Sequence, residues 1–137
     1  MDSSPHEGGD PLVVKAAAIL HDIGIHEAER KHGAGGGKHQ EMEGPPIASQ
    51  ILERVGVDAE RTGHVCRIVG SHHSGRGIDT PEFRVIWDAD WLVNLFHEEP
   101  RPDPEALRKT VEQVFKTATG QELARLLASR DSRRPSA

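Results

Sequence analysis

His21 and Asp22 set an imidazole and a carboxylate side by side at the end of an apolar run, Ala16-Ala17-Ala18-Ile19-Leu20, just before Ile23 and Gly24. A carboxylate buried without a partner is unfavourable by several kcal/mol, so Asp22 in such a place needs a cation or a donor. A divalent metal held by both side chains neutralises the acid and uses the neutral ring, whereas most His-Asp dipeptides are exposed pairs at helix ends. A second apolar run with embedded acids follows downstream, Val85-Ile86-Trp87-Asp88-Ala89-Asp90-Trp91-Leu92-Val93-Asn94-Leu95. Two such helices packed antiparallel bring Asp90 to His21 and Asp22. Asp88 is the alternative ligand, and on a helix it points about 200° away from Asp90. The pair His72-His73 finishes another helical pattern, where the helix dipole favours a cationic or metal-bound imidazole. Adjacent helical residues diverge by about 100°, so one of the two is expected to face the site, at a second metal or on a substrate phosphate. His26 and Glu27 follow closely enough to supply a proton to a leaving group, against the plainer reading of a solvated loop. Asn94, one turn beyond Asp90, either binds near the ligands or caps a helix end. Lys38, Arg76 and Arg84 are phosphate contacts or ordinary surface cations.

His21-Asp22 followed by Asp90 resembles the HD-domain metal-dependent phosphohydrolase superfamily, whose ligand pattern runs H…HD…D. The run Ala89-Asp90-x-Leu92-x-Asn94 is similar to the motif that supplies the last ligand there, including in the (p)ppGpp hydrolases. Glu43-Gly44-Pro45-Pro46-Ile47-Ala48, His72-His73-Ser74, Asp79-Thr80-Pro81-Glu82-Phe83 and Trp87-Asp88-Ala89-Asp90-Trp91 look like a small bacterial branch of it. The resemblance runs from Asp10 to about Leu95. With that resemblance go the helical patterns along the chain, with no alternating run long enough for a sheet, which predict an all-α, compact helical domain of five to six helices over 10–129, between tails at 1–9 and 130–137. The resemblance implies a divalent metal (Mn, Fe, Co, Ni or Zn) on His21, Asp22 and Asp90, the family pattern falling on Asp90 rather than Asp88. The implied reaction is hydrolysis of a nucleotide or other small phosphate ester by metal-activated water. The superfamily's first histidine lies on a helix upstream of the HD pair, and His6, in a Pro- and Gly-flanked stretch, does not sit in a helix of that kind. An incomplete ligand set keeps a competing reading open, a metal- or nucleotide-binding regulatory domain without turnover. The same shortfall leaves an apolar face of the helix from Leu12 to Ile23 uncovered, which favours association into a homodimer.

At 137 residues the chain suits one domain with a real core. The net charge of −5 and five aromatics, three Phe and two Trp with no Tyr, argue against a stacking platform for a nucleic-acid polymer. A single cysteine, Cys66, excludes an internal disulfide and reads as a buried structural thiol in a reducing compartment. The first nine residues lack the basic and apolar regions of a leader, and no run reaches bilayer length, so a soluble cytoplasmic protein that does not touch membrane is expected.

Asp10-Pro11, Thr80-Pro81 and Asp103-Pro104 each read as a helix start, an N-cap acceptor followed by a proline whose missing donor costs nothing there. Between Leu12 and Ile23 only Lys15 is long and polar before His21, so that helix is expected to be central and surrounded on most sides. The segment from Ile25 to Gln40, with Gly33-Ala34-Gly35-Gly36-Gly37-Lys38, reads as a lid or surface loop. It is not a P-loop, because the preceding strand, the earlier glycine and the Ser or Thr after the lysine are all missing. Pro45-Pro46 then starts a helix that Gly56 ends, and Asp58 caps the next. Leu107, Val111, Val114 and Phe115 mark one face of a later helix, expected to end at Gly120. Gln121 to Ser129 forms a last one, and 131–137, without apolar content beyond alanine, is expected to fray.

Overall fold

Seven helices, and no strand, occur among the residues that the computed structural model describes, 9–33, 36–97 and 102–132. They are α1 (Pro11–Leu20), α2 (Ile25–His32), α3 (Gly37–Arg54), α4 (Ala59–Val69), α5 (Pro81–Phe96), α6 (Pro104–Val114) and α7 (Ala118–Ser132). The all-α expectation is met; His6 lies outside the described residues. No described helix is long and apolar enough to cross a membrane.

The expected caps are in place. The Asp10 carboxylate accepts from Leu12 N–H, Asp58 from Arg61 N–H and Asp103 from Ala106 N–H, each filling an orphan donor of a first turn. Thr80 does the same for Phe83 through its hydroxyl, and His64 Nε2 lies 2.8 Å from that hydroxyl oxygen.

The chain packs as two units, Met1–Ile86 and Trp87–Ala137, α5 giving its first residues to one and the rest to the other. In the first unit α3 packs on α2 and α4, and α1 packs on α4. Val13, Ala17 and Leu20 form the buried stripe of α1 at helical spacing, while Leu12 and Ile19 stay exposed, Ile19 by 78%. This corrects the expectation of a helix surrounded on most sides. An Ala-rich helix needs only one inward stripe, and its apolar composition did not distinguish that from full burial.

The start of α3 is a second correction. The segment expected as a loop to Gln40 forms α2 and the first turn of α3, and Pro45 and Pro46 lie inside α3 rather than at its start. Gln40, Gly44, Ala48 and Leu52 are its buried residues, a stripe at strict four-residue spacing that runs straight through the prolines. Its first two members are a polar residue and a glycine, invisible to a count of apolar positions. Gly44 is there for space: a Cβ on it would fall 2.6 Å from Val69 Cγ1, and one on Gly24 would fall 2.7 Å from Gly44 N. The turn after α1 therefore sits backbone to backbone on α3.

In the second unit Leu95, Leu107, Val111 and Ala124 make a core, with Trp91, Leu92, Phe96, Phe115 and Ala128 packed around it. Asp88 is buried there and occupied: one carboxylate oxygen accepts from Lys116 N–H at 2.8 Å, the other from Thr117 N–H at 2.8 Å and Thr117 Oγ1–H at 2.6 Å. Thr117 in turn accepts from Gly120 N–H at 2.9 Å. The α6–α7 connection is thus tied to α5 by a carboxylate, and Gly120, whose Cβ would collide with Asp88, lies within α7 instead of ending the helix before it. These bonds give Asp88 a structural task in place of the alternative ligand role. Replacing Asp88 by Ala leaves buried donors unpaired, and urea unfolding is expected to show a loss of about 2–3 kcal/mol.

Candidate metal centre

The turn His21 to Gly24 and the turn Gly70 to Ser74 carry the centre, the first between α1 and α2, the second just past α4. His21 caps α1, its N–H bonded to Ala17 O, and its Nδ1 lies 2.8 Å from Ala18 O. His72 repeats the arrangement with Nδ1 2.9 Å from Val69 O. A carbonyl oxygen only accepts, so each Nδ1 carries the proton, and in the neutral ring Nε2 holds the lone pair. Both Nε2 atoms face one carboxylate: His21 Nε2 is 3.2 Å from Asp22 Oδ2 and His72 Nε2 is 3.5 Å from Asp22 Oδ1. The His21 and His72 rings meet edge to face at 5.3 Å.

Two lone pairs converging on an anion repel one another unless a cation joins them or a ring takes a proton. His72 is 2% exposed, and its buried Nε2 has no hydrogen-bond partner among the described residues. Such an atom is expected to have one, and a metal ion between His72 and Asp22 meets that need. With its Nε2 protonated, the His21 ring, then that of His72, donates to Asp22 and holds its carboxyl well below the usual carboxylate range.

Asp22, His72 and His73 each offer a ligand atom, all within 4.8 Å of one another. Both histidines of the pair thus join Asp22, against the expectation of one. The reason is local: helix α4 stops at Val69, and the pair lies in a turn where the 100° rule of a helix does not apply. The first turns of α3 hold this turn in place. His73 Nε2 is 2.8 Å from Gln40 Oε1, and Glu41 Oε2 accepts from Ser74 N–H at 3.2 Å and Ser74 Oγ–H at 2.9 Å. Sequence reading missed Gln40 and Glu41; the available signal was a polar residue in the four-residue stripe of Gly44, Ala48 and Leu52.

A scan against known families matches residues 2–95 to the HD domain. The chain belongs to that family. Comparison with curated proteins and with solved structures gave no significant match. The HD domain superfamily is one of metal-dependent phosphohydrolases, its members usually hold divalent metals, and the donor set here, imidazole nitrogen and carboxylate with no thiolate, suits that chemistry.

The other expected site residues of this HD domain fall as follows. Asp90 is half-buried on α5, in the part belonging to the second unit, and Asn94 is exposed one turn on. His26 is exposed in the first turn of α2. Glu27 is bonded to the Arg30 guanidinium, which lowers its pKa, and Lys31 lies 3.8 Å away. An acid held ionised in this way is a poor proton donor, which favours the plainer, solvated reading of Glu27. Lys38 is exposed on the first turn of α3, and Arg76 is exposed in the connection before α5. Arg84 is engaged by Asp79 through two bonds of 2.8 Å, which fits its reading as an ordinary surface cation. Cys66 donates to Pro45 O at 3.5 Å, and burial pushes its thiol pKa up, in keeping with a structural role.

His72→Ala and Asp22→Ala are each expected to strip the ion from purified protein. Elemental analysis after dialysis against metal-free buffer should find less than about a tenth of the parent content, since an outer partner alone is worth about 10–100-fold in affinity. Parent-level metal in both variants places the ion elsewhere.

Proposed function

We propose that this HD domain is a metal-dependent phosphohydrolase whose substrate is a nucleotide or another small phosphate ester. The observation that carries the reading is the convergence of His21 Nε2 and the buried His72 Nε2 on the Asp22 carboxylate. Asp22, His72 and His73 would hold the ion with His21; the family pattern, taken from the sequence, names Asp90 as a ligand and Asn94 as a hydrogen-bonding group. When bound, a divalent metal supplies a Lewis acid for a phosphoryl oxygen and lowers the pKa of water. The chain's own residues do the rest. His21 and His72 are fixed in tautomer by backbone carbonyls, so they present lone pairs without reorganising. Asp22 offsets the charge of the ion. Lys38 and Arg76 are exposed cations suited to bind phosphate oxygens, and His26 is an exposed imidazole suited to carry a proton to the leaving group.

Phosphate release from a panel of nucleotides and phosphomonoesters, run with Mn, Fe, Co, Ni and Zn in turn, tests the proposal. At least one member is expected to be hydrolysed, with His72→Ala lowering the rate by more than about 100-fold. Ligand-dependent thermal stabilisation without phosphate release from any member would instead identify a binding domain.

A further inference from the structure

Gln40 is only 9% exposed, the one polar member of the buried stripe of α3. A buried carboxamide is unfavourable unless its oxygen and amide are paired, so its partner is informative. Its Oε1 lies 2.8 Å from His73 Nε2. A carboxamide oxygen only accepts, which puts the His73 proton on Nε2 and leaves the lone pair of the neutral ring on Nδ1. This is the reverse of His21 and His72, whose Nδ1–H groups bond backbone carbonyls and leave Nε2 as the donor atom.

Resting on the metal-centre reading above, we propose that Gln40 is a positioning residue that makes His73 an Nδ1 ligand, so that the neighbours His72 and His73 reach one ion through different ring atoms. The geometry gives a reason for the difference. Consecutive residues of one turn start from neighbouring Cα atoms, and their rings lie 4.1 Å apart at 44°. Two rings so placed meet at a single point most readily when one reaches with its distant Nε2 and the other with Nδ1, the nitrogen nearer its own backbone. An Nδ1 ligand has the shorter lever, and its position therefore depends closely on the backbone of its turn. That backbone is held from α3. Glu41 binds the N–H and hydroxyl of Ser74, and Gly37 leaves room for the ring, since a Cβ there would lie 3.0 Å from His73 Cγ. Three residues in the first turns of α3 thus bear on His73 from its ring face, its Nε2 and the peptide that follows it.

The test uses the full chain, metal-free and then titrated with Co(II). Long-range ¹H–¹⁵N spectra, with His73 assigned by comparison with His73→Ala, are expected to show the Nε2–H tautomer in the parent. Gln40→Glu retains an acceptor and should keep both the tautomer and Co(II) affinity within about threefold. Gln40→Met, similar in size but without an acceptor, should mix the tautomers and weaken Co(II) binding, followed by its d–d absorption, by about 10–100-fold. A parent whose His73 carries its proton on Nδ1, as it would if the Gln40 amide pointed at the ring instead, overturns the proposal. So does a Gln40→Met variant with parent tautomer and parent affinity. Should Gln40→Met fail to fold, the parent spectrum and Gln40→Glu decide. A parent that binds no Co(II) while His73 shows the Nε2–H tautomer fails the metal centre and leaves the Gln40–His73 bond intact, so the two failures are distinguishable.

Discussion

Two hydrogen bonds from side chain to main chain, His21 Nδ1–H to Ala18 O and His72 Nδ1–H to Val69 O, decide what the centre can do. Each uses a carbonyl left open at a helix end, so it satisfies the helix terminus and selects a tautomer at once. Because both bonds take the Nδ1 proton, both Nε2 lone pairs turn toward Asp22. The result is an arrangement that is unfavourable when empty and favourable around a cation. The ends of α1 and α4 are therefore part of the chemistry as well as of the fold.

Close packing makes those helix ends meet. Val69, whose carbonyl orients His72, has its Cγ1 where a Cβ on Gly44 would stand, and Gly44 in turn lies where a Cβ on Gly24 would stand. The two metal-bearing turns are thus registered through the small residues of α3, with Gly24 at one end of the stack and Val69 at the other. A helix with ordinary side chains at these positions would push the turns apart. Overpacking of this kind costs about 1–3 kcal/mol, and at a metal centre even a slight displacement also weakens the ion.

The legible parts of the sequence were those whose physics is local. Asp10-Pro11, Asp58 and Asp103-Pro104 start helices as read, because an N-cap acts within one turn and needs no tertiary partner. The chemical types of His21, Asp22, His72 and His73 were legible too. What was not legible depended on distant partners. Whether one or both histidines joined Asp22 hung on where α4 stopped. The early start of α3 hung on a buried stripe that opens with Gln40 and Gly44, residues that carry no apolar signal and whose burial is explained only by His73 and Val69. Asp88 and Asp90 are two positions apart in one run of sequence, and only the amides of Lys116 and Thr117 mark Asp88 as structural.

The most direct test of the centre is X-ray absorption at the metal edge of the metal-reconstituted chain. The account predicts a shell of nitrogen and oxygen only, at about 2.0–2.1 Å for Zn–N, with outer scattering from at least two imidazoles. Sulfur in the first shell, or a metal with no imidazole signature, would contradict it.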